Sequence, residues 1–234
     1  MSYDGPALIE ALTRFARMLP MEYERDEALD ELVSAETAVL GLAGAGVVML
    51  ADGRLRMATN AGEHVAAAER CQVQWQQGPC VDAHRKGEVV AIGDIARCAA
   101  RWPQFTAVAQ QRQIVAVAGI PMRLRNNMIG AVNLYESRSR SWDEPDLEVA
   151  QLLADTAVGY VVNADIRQRQ HALTAQLRQA LESRVVIEQA KGVISNANGI
   201  TPDEAFTLIR RYARTHQLRL RTVAQTIVES GLRL

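Results

Sequence analysis

From about residue 143 to residue 197 no Gly-Pro pair interrupts the chain, and apolar residues recur at helical spacing. That pattern predicts one long helix, and the rest of the chain must be arranged around it. Ser141 with Glu144 three residues later has the spacing of a capping box at its start, and Gly199 marks its C-terminal end. Within it Ile166, Leu173, Ala180 and Ile187 recur every seven residues. At the intervening positions of that repeat Leu177 is apolar, whereas Gln170 and Arg184 interrupt the seam. Two readings stay open: a coiled-coil-like linker over 145–183 that joins two copies, and a long helix packed on its own domain.

The 234 residues are 48% hydrophobic and 23% charged, the balance of a globular chain and not of a disordered one. That length suits a domain of about 150 residues with a smaller one beside it, so two compact units are expected. No window holds the ~18 consecutive apolar residues of a spanning helix, and the opening Met-Ser-Tyr-Asp-Gly-Pro lacks a basic-then-apolar leader. A cytoplasmic protein without membrane contact is expected. Cys71, Cys80 and Cys98 form an odd set with no C-x-x-C spacing, which suits a reducing compartment and argues against structural zinc.

Lys and Arg number 26 against 27 Asp and Glu, a net charge of −1. The total is a cancellation. Residues 1–165 hold 15 basic and 22 acidic side chains, net −7, while residues 166–234 hold 11 and 5, net +6. An acidic front part carrying a basic tail suggests that the tail meets a polyanion.

Ahead of the long helix the signals alternate. Residues 7–19 and 26–42 have helical spacing, the second through Leu29, Leu32, Val33, Val39 and Leu40, and Gly44-Ala45-Gly46 then breaks it. The runs 47–50 and 55–59 flank Asp52-Gly53, a dipeptide strongly favoured in two-residue hairpin turns. Further strand candidates are 89–92, 114–120 and 128–135, the last two joined by the polar stretch Arg123-Leu124-Arg125-Asn126-Asn127. The pattern predicts an antiparallel sheet with helices packed on it, an α+β domain.

The last 60 or so residues read as three helices. Thr201-Pro202-Asp203-Glu204 offers an N-cap Thr, Pro at the first helical position and Glu at the third. Ala205, Leu208, Ile209, Tyr212 and Ala213 then share one face, with Arg210, Arg211 and Arg214 falling largely elsewhere. Val223, Ala224, Ile227 and Val228 line the third helix before Gly231. A small three-helix bundle is expected.

For catalysis the nearest set is Cys80, Asp82 and His84, which lie too close along the chain to make a triad, whose members converge from separate segments. His64, His171 and His216 have no partner at metal-ligand spacing. Neither GxxxxGK[ST] nor GxGxxG occurs. No enzyme activity, catalytic residue, metal or cofactor is therefore expected. Lys191, one of two lysines in the chain, stands beside Gly192 inside the helical stretch. A mid-helix Gly costs about 1 kcal/mol relative to Ala, which suggests close approach by a neighbouring helix or by a nucleic-acid backbone.

Arg184-Val185-Val186-Ile187-Glu188-Gln189-Ala190-Lys191-Gly192-Val193-Ile194, followed by Asp203-Glu204-Ala205-Phe206, Leu208, Ala213 and the run 220–227, resembles the ANTAR domain, a family of RNA-binding transcription antiterminators. The front part, over roughly 20–162, resembles a GAF sensor domain. That likeness rests on Gly78-Pro79-Cys80-Val81-Asp82-Ala83, Arg101-Trp102-Pro103 and Ile129-Gly130-Ala131-Val132-Asn133-Leu134, with Trp142 opening the last helix.

The two resemblances imply a GAF-like domain over 1–162, the linker helix over 145–183 and an ANTAR domain over 174–234. They imply a homodimer whose ANTAR domains bind paired hairpins in leader RNA, with an unidentified small molecule as a candidate input at the GAF domain. The candidate RNA face is Arg184, Gln189, Lys191, Gly192, Arg211, Arg214, Arg219 and Arg221. The alternatives are a helix-turn-helix-like DNA binder and a ligand-sensing dimer that docks a protein partner.

Overall fold

The computed structural model describes residues 3–234, the Glu63 side chain apart. In chain order the elements are α1 (Gly5–Met18), α2 (Arg25–Leu40), β1 (Gly44–Ala51), β2 (Arg54–Ala61), α3 (Glu63–Trp75), α4 (Pro79–Lys86), β3 (Val90–Ile92), a 3-10 turn (Ile95–Cys98), α5 (Pro103–Gln111), β4 (Ala116–Leu124), β5 (Asn127–Glu136), α6 (Glu144–Asn198), α7 (Pro202–Thr215) and α8 (Leu220–Ser230). The chain divides between Ile166 and Arg167 into two compact units, with α6 contributing to both.

In the first unit the five strands form one antiparallel sheet in the order β2-β1-β5-β4-β3. The expected hairpin turn is present. Asp52 and Gly53 both take positive φ (51° and 74°), the left-handed pair that matches a two-residue turn to the twist of its strands. The second hairpin turns at Arg125-Asn126, with Leu124 paired to Asn127. Because side chains alternate along a strand, Val47, Ala118, Ile120, Val132 and Leu134 face one side, and Val48, Val117, Ala131 and Tyr135 the other. Against the first side pack α1, α2 and the opening turns of α6, which buries Val149, Leu153, Ala157 and Val161 there. The second side is covered by α3, α4 and α5. With both faces covered, β1 reads as a continuous apolar run and not as an alternating one.

Three helices, α3, α4 and α5, go beyond what the sequence pattern marks. α4 is two turns long and presents too few positions for a period to show. The expected capping box at Ser141 is not formed: α6 begins at Glu144, and the Ser141 hydroxyl donates to Asp143 instead (3.2 Å). The segment before α6 is held by other contacts. Trp142 Nε1 donates to the Ile92 carbonyl (3.1 Å), and Arg140 reaches both the Leu40 carbonyl and Asp146 in the first turn of α6 (2.8 Å each).

The second unit is the three-helix bundle. Ala190, Ile194, Ala205, Ile209, Ala213, Val223, Ala224 and Ile227 are its buried core. The Thr201 capping box is formed in full. Glu204 N–H donates to Thr201 Oγ1 (3.3 Å) and Thr201 N–H donates to the Glu204 carboxylate (2.8 Å), which holds the Glu204 carboxyl below its ordinary pKa. Gly199, at φ 65°, closes α6 where expected. Val228, expected on the buried face of α8, is 38% exposed. Every residue from 168 to 182 on α6 is exposed, including Leu173, Leu177 and Leu181.

Candidate functional site

In the second unit the buried edge of α6 is centred on Ala190, flanked by Val186, Ile187, Val193 and Ile194. An α-helix turns by about 100° per residue, so Lys191 and Arg184 lie about 100° and 120° round from Ala190 on one flank. Gln189 and Glu182 lie about 100° and 80° round on the other. The same split continues into the packed helices. Lys191 Nζ stands 5.8 Å from the centroid of the Phe206 ring on α7, within cation–π range. On the opposite flank Arg221 of α8 donates to Glu182 (3.1 Å). The eight candidates therefore do not share one face. Arg184 and Lys191 belong to the α6/α7 flank, and Gln189 and Arg221 to the α6/α8 flank.

Phe206, Arg210 and Arg214 stand at i, i+4 and i+8 on α7 and form one row on its surface. Arg210 and Arg214 are exposed, so the row runs from the ring under Lys191 to two arginines open to solvent. Arg211 is also exposed, and Arg219 is the N-cap residue of α8. Arg184, Arg210, Arg211, Arg214 and Arg219 make no ion pair among the described residues, whereas Lys191 is paired with Glu188 (2.9 Å) and its side chain is 15% exposed. The sequence pattern places Arg210 off the apolar face together with the candidates Arg211 and Arg214, but Arg210 is not itself among the eight candidates. The signal that selects it is its spacing from Phe206, which becomes readable once Lys191 is seen to pack on that ring.

Gly192 faces open space: a Cβ built there would meet nothing within 4 Å. A neighbouring helix is thus not what its missing side chain admits. At the end of α7 the His216 ring stacks on Tyr212, with centroids 4.0 Å apart and 25° between planes, and His216 Nδ1 donates to the Tyr212 carbonyl (2.9 Å).

In the first unit a buried polar chain lies between the sheet and α3. Glu69 Oε1 accepts from Asn133 Nδ2 (2.8 Å) and from the Tyr135 hydroxyl (2.9 Å). The Tyr135 oxygen accepts from Gln72 Nε2 (2.9 Å), and Gln72 Oε1 accepts from the Cys80 N–H (3.0 Å). Gly46 makes the room, since a Cβ on that strand residue would stand 2.5 Å from Glu69 Oε1. Burial raises the Glu69 carboxyl from 4.5 to about 7 against the pull of its two hydrogen bonds. Neither Glu69 nor Gln72 is among the sequence candidates, because polar residues on a short helix do not announce their burial.

The Cys80 thiol is fully buried, and burial with the nearby Glu69 charge pushes its pKa well up, so it is no activated thiolate. Asp82 is held by Arg101 (2.5 Å) and Arg85 (3.4 Å). Neither arrangement makes a nucleophile–base pair of Cys80, Asp82 and His84. Among the described residues no group of three or more His, Cys, Asp or Glu is arranged to hold a metal ion, and no helix is long and apolar enough to cross a membrane.

The GAF domain family model matches residues 22–159, and the ANTAR domain model matches residues 175–228. The chain belongs to the GAF family and carries an ANTAR domain. No curated protein matches it. Among solved structures this GAF–ANTAR chain is similar to the GAF domain of a phosphoenolpyruvate-protein phosphotransferase from Acinetobacter (12% identity, TM-score 0.55, covering 68% of this chain and 94% of that one). It is also similar to the GAF domain of a phosphoenolpyruvate-protein phosphotransferase from Coxiella burnetii (14%, TM-score 0.55, 70% and 97%). A third is the free methionine-R-sulfoxide reductase from Neisseria meningitidis in complex with its substrate (17%, TM-score 0.56, 70% and 95%). At such identities these relationships speak for the fold of the first unit. The two domains are regulatory modules, so the GAF–ANTAR chain is a GAF-regulated ANTAR regulator.

Proposed function

We propose that this protein is a cytoplasmic transcription antiterminator that binds hairpin RNA through the α6/α7 flank of its ANTAR domain, and that it acts by binding and not by catalysis. The observation that carries this reading is the continuous row from Lys191 over Phe206 to Arg210 and Arg214, on a unit whose net charge is positive. Guanidinium groups pair with phosphates in bidentate fashion and stack on unpaired bases, and hairpin loops offer both. Arg184 extends the row along α6, and Gly192 lets a phosphate backbone come close to the helix. The His216 ring, supported from beneath by Tyr212, is suited to stack a loop base.

The functional unit is a homodimer. The leucines at 173, 177 and 181 stand one turn apart on a stretch of α6 that is exposed throughout, and a second copy of the same helix covers them by pairing along the stripe. Two chains then present two ANTAR surfaces to two hairpins of one transcript, where the second contact is effectively intramolecular. Binding that stabilises the hairpin pair favours it over the competing terminator. The test is competition of a two-hairpin RNA and a duplex DNA of equal length for the full chain. Preference for the hairpin RNA at near-physiological salt is expected. Preference for the duplex favours a helix-turn-helix-like DNA reader, and salt-independent indifference to both favours a protein partner.

A further inference from the structure

At one end of the GAF sheet a cleft of about 510 Å³ opens between the β1–β2 turn, the β4–β5 turn and the outer face of α4. Leu55 and Val81, both buried, form its floor, while His84, Arg85, Asn126 and Asn127 stand round its rim. A concave site of that size, apolar beneath and polar at the edge, has the build of a small-molecule site. We infer that this cleft binds a small anionic molecule with an apolar body, its carboxylate or phosphate head held by Arg85.

The charge argument is specific to this rim. Asp82 already has Arg101 at 2.5 Å, so Arg85, 3.4 Å away and with its side chain 66% exposed, is a second and more distant cation on a carboxylate that needs one. Asp52 in the β1–β2 turn is paired with Arg56 at 3.0 Å. Among the described residues that line the cleft Arg85 is the one Lys or Arg, and it shares its carboxylate partner with Arg101. The His84 ring adds a second polar feature, for its Nε2 is buried and makes no hydrogen bond. An unsatisfied buried nitrogen is costly, and a ligand group or a water carried in with the ligand relieves it. The side-chain amides of Asn126 and Asn127, both exposed at the opposite turn, supply donors for the same head group.

The site also has a route inward. α4 offers Val81, His84 and Arg85 to the cleft, and at its other end the Cys80 N–H is tied through Gln72 to Tyr135 and Glu69. An occupant that shifts this two-turn helix pulls on the buried polar chain. The inference belongs to the GAF unit and stands whether or not the ANTAR unit binds RNA.

The test is an amide NMR titration of the full chain with indole-3-acetate, with phenyl phosphate and with uncharged indole-3-acetamide, repeated on Arg85→Gln. Shifts gathered at Val81, His84, Arg85, Asn126 and Asn127 are expected. At least tenfold weaker binding of the amide is expected, and at least fivefold weaker binding of both anions to Arg85→Gln, whose melting temperature stays that of the wild type. The tighter of the two anions assigns the head group. Absent or scattered shifts, equal affinity for acid and amide, or unchanged affinity in Arg85→Gln each overturn the site.

Discussion

Glu69 is a carboxyl placed under a sheet whose ordinary tenants are Val, Ala and Tyr, and its chemistry follows from that burial. Its folded pKa of about 7 lies above the 4.5 of an ordinary Glu, so the folded state holds the proton more tightly than the unfolded chain. The stability this contributes is fully present below about 4.5 and is lost as pH rises towards 7. Glu36, also buried and also raised, adds a loss of the same sign. Glu69→Gln removes one share, so the variant loses less stability between pH 5 and pH 8 than the wild type, by up to about 3 kcal/mol. All three tryptophans, Trp75, Trp102 and Trp142, lie in the first unit, so urea unfolding followed by their fluorescence reads this difference directly. Identical pH profiles for the two proteins would show that Glu69 does not titrate there. Gly192 makes the complementary case in the second unit. With open space around it, Gly192→Ala gains about 1 kcal/mol of helix stability, seen by circular dichroism, while the added methyl holds a phosphate backbone off and weakens RNA binding. Stabilisation with unaltered RNA affinity takes Gly192 off the interface.

At the scale of elements, α6 carries the most consequence. Leu177→Glu sets a charge in the middle of its exposed stripe without touching either core, so each unit is expected to keep its melting temperature while the proposed dimer gives way to monomer in sedimentation. A dimer that survives Leu177→Glu places the self-association elsewhere. The long helix and the two hairpins were legible in the sequence for different reasons. Asp52-Gly53 names its turn, the strand runs are bounded by Gly and polar stretches, and 143–197 simply offers no break. The start of α6 was less legible. The Ser141–Glu144 spacing imitates a cap, but the helix begins later because Arg140 and Trp142 anchor the preceding segment to residues about 100 and 50 positions away, contacts that no local window contains. The proposed RNA face was half legible for the same reason. The arginines were visible at once, and their sorting into two flanks depended on Lys191 meeting Phe206 and Arg221 meeting Glu182 across helices.

For the whole molecule the balance of charge and the division of labour coincide. A total of −1 conceals a sensor-bearing part at −7 and a tail at +6, a separation that fits the RNA contact proposed for the tail. The central claim is narrower: one flank of the ANTAR bundle holds the transcript. It is tested most directly by measuring the Kd of the full chain for a two-hairpin RNA across a salt series, comparing Arg210→Ala/Arg214→Ala with Arg219→Ala/Arg221→Ala. Each phosphate contact removed lowers the salt slope by about 1. The α6/α7 pair is predicted to lose at least tenfold in affinity and about two units of slope, and the α6/α8 pair less than about twofold. Equal losses from the two pairs, or an α6/α7 pair that binds as the wild type does, would contradict the account.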